Sequence, residues 1–175
     1  MTEAACYCPQ TAPDWAGQDV DLSAALVHDL PIKVLFNMPV AYDMYHQRQY
    51  QELHRLELPE RWPGLVLTRM GMFSGRLIRL LQDHQTPCRH VHRLAPDFHL
   101  RGLMHDGDIG TVRESFLDLQ TELFNLGRLP KELYMAYLTC PVCRDRKGGD
   151  RILLLRRWVD SPRLRAKQEA RRRQS

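Results

Sequence analysis

No stretch of this 175-residue sequence approaches the run of about 18 apolar residues that a membrane-spanning helix needs. The opening residues, MTEAACYCPQTAPDW, lack the basic start and apolar core of a secretory signal, so the expectation is a cytoplasmic protein without a membrane partner. No phosphate-binding loop or dinucleotide fingerprint occurs, because Gly71 and Gly75 do not meet the spacing. Ser74 and Ser115 stand outside any nucleophile-elbow context, so catalysis has no signature and the sequence leaves open whether the protein is an enzyme. Cysteine is present in an odd number, five. Four of these fall in close pairs, Cys6 with Cys8 and Cys140 with Cys143, a pattern that argues against a secreted disulfide framework and for reduced thiols.

What is there is the composition of an ordinary globular domain, 43% hydrophobic and 26% charged, long enough to bury one core. The net charge of +4 is localised. Residues 160–175 carry six basic side chains (Arg163, Arg165, Lys167, Arg171, Arg172 and Arg173) against Asp160 and Glu169, which leaves residues 1–159 neutral. A neutral body argues against a nucleic-acid-binding face; only the basic tail would touch phosphate, and that weakly and in a salt-sensitive way.

Three regions follow: an extended arm over residues 1–14, one domain over 15–159 and the basic tail over 160–175. Alternation predicts a strand over 32–36 starting at Pro31. Asn37 as cap and Pro39 in the first turn then predict a helix over 40–58, with Ala41, Tyr45, Leu53 and Leu56 on one face. A hairpin follows, turning at Ser74-Gly75. In the second half a strand over 89–104 is broken by Pro96. The Thr111/Glu114 capping box then opens a helix with Val112, Phe116, Leu119, Leu123 and Leu126 at helical spacing, stopped at Gly127. YMAYLT and RILLLRRWV flank the loop CPVCRDRKGGD as a second hairpin. The expected fold is α+β: two tandem β-α-β-β units forming an antiparallel sheet with two long helices.

Cys140-Pro-Val-Cys143 has the spacing of half a structural zinc site, and Cys6 and Cys8 would complete it if the arm folded back. C-x-C is poor zinc spacing and one C-x-x-C alone is a weak signal, so the expectation is no metal and no cofactor, with these four thiols as the alternative. His90, His92, His99 and His105 read as solvated strand histidines, since no carboxylate stands at matching spacing.

Gly107 and Ile109 before the second helix, Glu132-Leu133-Tyr134 after it, Pro141, and the closing strand over 152–159 together resemble the gyrase-inhibitor-like small-molecule-binding domain. That domain also serves as the effector-binding domain of bacterial multidrug-responsive transcription activators. The resemblance covers residues 96–159. The first half fits by element order alone, because Asn37-Met38-Pro39 stands where the family has a glycine. The resemblance implies a small-molecule ligand, flat, hydrophobic and often cationic, held in a groove between the two helices. Glu132 would be its counter-charge and Tyr42, Tyr45, Trp62, Phe98 and Tyr134 its walls, with cation–π attraction of roughly 0.5–2 kcal/mol per ring. Some members of that family hydrolyse reactive small molecules, which by likeness would make Glu132 a general base and Tyr134 an acid.

Overall fold

The computed structural model describes residues 6–35, 38–83 and 88–173. Among them, nine strands and three helices form an α+β fold around one antiparallel sheet. The strands are β1 (Asp19–Asp21), β2 (Leu26–Leu35), β3 (Met38–Pro39), β4 (Leu67–Met70), β5 (Ser74–Leu80), β6 (Val91–Arg93), β7 (His99–Asp106), β8 (Arg128–Tyr137) and β9 (Arg151–Asp160). The helices are α1 (Tyr42–Arg55), α2 (Val112–Asn125) and α3 (Pro162–Arg172). Eight strands lie in the order β1-β7-β9-β8-β4-β5-β2-β3, and β6 pairs with β2. No helix among the described residues is long and apolar enough to cross a membrane.

Several local expectations are corrected. Pro31 lies inside β2, opposite Arg76, rather than at a strand start. Pro39 pairs with Val34 in β3 instead of opening the first helix. Helix α1 starts later, behind Ala41, which takes left-handed backbone (φ 55°) and offers no side-chain cap; Phe36 and Asn37 lie outside the described residues. The first hairpin turns over residues 71–73, and Ser74-Gly75 already belongs to β5. At α2 the capping box does not form: Thr111 makes no side-chain cap, and its hydroxyl binds the Asp108 carbonyl and the His105 ring instead. Gly127, at φ 71°, ends α2 as expected, a left-handed position that suits glycine. The strand expected across 89–104 is indeed two pieces, β6 and β7, with Pro96 between them. The basic tail is helical: Ser161 caps α3 by accepting from the Leu164 amide, and Pro162 sits in its first turn.

The two faces of the sheet are distinct. Successive strand side chains point to opposite faces, and Met135 of β8 packs with Leu119 of α2 while its neighbour Tyr134 packs with Phe98, Leu100 and Leu155. Helix α1 stands over β2 and β5, and α2 over β7, β8 and β9 on the same outer face. The inner face holds the largest apolar cluster, fed by β1, β2, β4, β5, β7, β8 and β9 and covered in part by Trp15 and Trp62. Backbone bonds from Leu22 to Phe98, Ala24 to Ala95 and Leu94 to Ala25 tie the β1–β2 connection to the β6–β7 connection. These bonds link segments next to β1 and β7 at one end of the strand order with segments next to β2 and β6 at the other.

Candidate functional sites

Because side chains alternate along a strand, the sheet separates the six candidate ligand-binding residues into two groups. Tyr42 and Tyr45 of α1 lie on the outer face. Tyr42 is bonded through its hydroxyl to Thr68 (3.0 Å), its ring is 6.0 Å from Tyr137, and burial pushes its hydroxyl up to about 12. Tyr45 packs against the cluster of Leu30, Ile32 and Val34. The other four lie on the inner face. Tyr134 and Phe98 meet edge to face with ring centroids 5.8 Å apart. Trp62 joins the same cluster and meets Trp15 edge to face at 6.3 Å; its Nε1 is buried without a partner among the described residues.

Glu132 stands at the edge of this inner group, beside the bulge that interrupts β8 between Pro130 and Leu133. Its carboxylate accepts from Arg157 at 3.5 Å. The Arg157 guanidinium in turn lies over the Phe98 ring, 4.9 Å from its centroid, and reaches Asp97 at 3.6 Å. Burial, followed by the charge of Glu132, pushes the Tyr134 hydroxyl above its usual range. A carboxylate, a planar cation and two aromatic rings therefore meet in one place. Sequence reasoning missed Arg157, one of several arginines on β9, because nothing in its spacing marks it.

The four paired cysteines form a second constellation. The arm over residues 6–14 has no regular secondary structure and runs back alongside α1, where the Tyr7 ring lies 5.8 Å from His46 and 5.9 Å from Tyr50. Pro9 and Tyr7 press on Gly64 so closely that a Cβ there would meet their backbone at 3.1 Å. The Lys147 ammonium donates to the Pro9 carbonyl at 2.7 Å and to the Leu138 carbonyl at 3.1 Å, joining the arm to the loop after β8.

That docking brings the thiols of Cys6, Cys8, Cys140 and Cys143 within 4.8 Å of one another. The Cys140 sulfur is 3.7 Å from those of both Cys6 and Cys143. The loop is wound so that the Cys140 amide donates to the Cys143 sulfur at 3.3 Å. Burial raises the Cys140 thiol, but amide donation from Val142 and Cys143 and hydrogen bonds from Cys8 and Cys6 outweigh it, bringing the thiol down to about 7. Burial pushes Cys8 up. Cys6 also rises: donation from the Cys8 amide lowers it, but burial and the neighbouring thiols prevail. The fifth cysteine, Cys88, is a free thiol outside the group.

The expected solvated histidines vary in setting. His105 is buried and bonded to Ser115 at 2.8 Å, which fastens the start of α2 to β7, whereas His92 and His99 are partly exposed beside Asp29 and Asp21. A further buried polar network, legible in no motif, lies beneath α1. Arg79 donates to Gln49 (3.1 Å) and Glu60 (2.8 Å) and reaches His46 (3.3 Å), and Gln49 continues to the His28 ring and to the carbonyls of His28 and Leu77.

No family model matches the sequence, and no curated protein matches it. Among solved structures, the fold matches the crystal structure of the EcmrR C-terminal domain with a TM-score of 0.60 over 82% of this chain and 95% of that one, at 11% identity. The chain has the fold of the EcmrR C-terminal domain. It also matches EcmrR in the cryo-EM structure of an EcmrR–DNA complex, with a TM-score of 0.56 and 9% identity over 82% of this chain, and there it spans 56% of the longer EcmrR chain. At these identities the likeness to EcmrR is one of fold alone.

Proposed function

We propose that this EcmrR-like domain binds a flat, hydrophobic, cationic small molecule on the inner face of its sheet, with Glu132 as counter-charge and Phe98 and Tyr134 as the surfaces it lies against. The observation that carries this reading is Arg157. Its guanidinium is itself a flat, delocalised cation, set over Phe98 at 4.9 Å and beside Glu132 at 3.5 Å. It thus makes the two interactions that such a ligand would make, cation–π attraction and ion pairing. Asp97 stands ready as its alternative partner at 3.6 Å, so a ligand would displace Arg157 without stranding its charge. Among the described residues the Arg157 Nε is buried without a partner and Trp62 Nε1 likewise, which leaves donors for a ligand acceptor or a water.

The fold supports the reading in a coarser way. With the two-residue β3 set aside, β2-α1-β4-β5 and β7-α2-β8-β9 read as the two tandem β-α-β-β units of the gyrase-inhibitor-like domain, with β4 and β8 meeting at the centre of the sheet. In this reading the ligand lies beneath the sheet rather than between the helices, and Tyr42 and Tyr45 serve as packing for α1.

The test is thermal-shift stabilisation against a panel of cationic aromatic dyes and matched neutral compounds, since a ligand bound only by the native state raises Tm. Cationic dyes are expected to stabilise the wild type, to stabilise Arg157→Ala more strongly because its seat is vacated, and to lose their effect in Glu132→Gln. Absence of any cation-specific shift in both the wild type and Arg157→Ala would sink the proposal.

A further inference from the structure

We infer that Cys6, Cys8, Cys140 and Cys143 hold one zinc ion, and that this ion clamps the N-terminal arm to the loop after β8 and so to the flank of α1. The first support is metric. Four ligands about 2.3 Å from a tetrahedral zinc lie about 3.8 Å from one another. The Cys140 sulfur stands 3.7 Å from both Cys6 and Cys143, and no pair in the group exceeds 4.8 Å.

The second support is that the four thiols come from segments more than 130 residues apart, yet the structure brings them to one point. A disulfide would engage two sulfurs about 2.05 Å apart and leave the other two without purpose, whereas all four here stand at ligand spacing as free thiols. An all-sulfur tetrahedral donor set suits zinc or iron, and closed four-cysteine sites of this kind are a common setting for structural zinc.

The surroundings suit the charge of such a centre. Binding Zn2+ converts the thiols to thiolates, releases their protons to solvent and leaves a net dianionic centre. Amides of the loop point at the sulfurs, the Cys140 amide reaching Cys143 at 3.3 Å. The same loop supplies Arg144, Arg146 and Lys147, and Lys147 already bridges arm and loop through the Pro9 and Leu138 carbonyls. Cys143 is buried and Cys6 exposed, so the centre sits at the surface with its inner side closed, as befits a structural ion with no open coordination position. Tyr7 of the clamped arm lies against His46 and Tyr50 of α1, and the four thiols share no residue with the ligand site at Glu132.

The experiment measures metal in the full chain purified under reducing conditions from zinc-supplemented medium. About one zinc per chain is expected. It should be lost in the double variants Cys6→Ser/Cys8→Ser and Cys140→Ser/Cys143→Ser and retained in Cys88→Ser. Stripping the wild type with a chelator should lower Tm by about 5 °C or more, and adding zinc back should restore it.

Should the double variants fail to fold, titrating the stripped wild type with Co2+ decides alone. Intense tetrahedral visible bands with thiolate-to-cobalt charge transfer, saturating at one equivalent, support the site. Failure to take up either metal, zinc content unchanged in both double variants, a mass loss of two hydrogens marking a disulfide within the tetrad, or iron in place of zinc would each overturn the inference.

Discussion

Beneath α1 the sheet presents Arg79 and His28, both almost wholly shielded from water and joined to each other through Gln49, with Arg79 also bonded to Glu60 and His46. Beneath α2 it presents Met135, Ile152 and Leu154 against Leu119. Two helices of 14 residues each are thus fastened to one sheet by different means. Helix α1 is too polar to be seated by apolar contact alone: of its residues only Gln49 and Leu53 are buried, and one of those two is an amide. Its attachment depends on each buried donor finding an acceptor, whereas α2 relies on non-directional burial of Leu119 and Leu123. The difference predicts that the α1 side fails abruptly when one member of its network is removed or charged, while the α2 side weakens in proportion to the apolar volume lost.

The strongest way to break the α1 side is Arg79→Ala. It leaves Glu60 and Gln49 without their shared partner inside the protein, and the expected loss is about 3–5 kcal/mol in urea unfolding followed by circular dichroism. Leu119→Ala tests the α2 side with a cavity, and about 2–4 kcal/mol is expected, with no change in the pH dependence of stability. A loss from Arg79→Ala no larger than that of an exposed substitution would erase the contrast.

The pH profile sharpens it further. Burial, with the charge of Arg79 second, holds His46 down to about 4 against an ordinary 6.5, and burial lowers His28 as well. The unfolded chain then binds protons that the folded chain refuses. The stability is therefore fully present above about 6.5 and is lost progressively as pH falls toward about 4, by on the order of 3 kcal/mol for His46. His46→Gln should flatten that slope between the two values, and an unchanged Tm-versus-pH curve in the variant would refute the assignment.

The smallest effect is expected at the start of α2. Thr111→Val removes a hydroxyl that makes no cap, only the bonds to Asp108 and His105. Less than about 1 kcal/mol should be lost, where a true cap would cost that much or more.

Much of the element order was legible. Helix α2 announced itself through Val112, Phe116, Leu119 and Leu123, whose spacing is dictated by the need to keep one face on a core. The strand at β9 read equally well from RILLLRRWV, whereas YMAYLT marks only the second half of β8, which begins at Arg128 directly after α2. Helix α1 was placed two residues early and its cap misassigned, because Pro39 suits a short paired strand as well as a first helical turn. Pro31 misled for a related reason: a proline is tolerated inside β2, where it stands opposite Arg76.

The candidate sites were legible in residue type but not in arrangement. Glu132 and Tyr134 stood out as a motif, and Phe98 as a groove wall implied by the family resemblance, yet no local signal told that Tyr42 and Tyr45 would fall on the other face. The thiols were recognised in pairs, but whether the arm would fold back was undetermined, since no periodicity governs residues 6–14.

By itself, then, the chain specified its α+β character, its two long helices, its paired thiols and its basic tail, because these depend on local periodicity, composition and charge. Which side of the sheet each aromatic faces, which arginine neutralises Glu132, and the meeting of Cys6 and Cys8 with Cys140 and Cys143 were decided only in the tertiary structure. Strand register and long-range docking set those contacts, and both depend on the whole chain burying its surfaces at once.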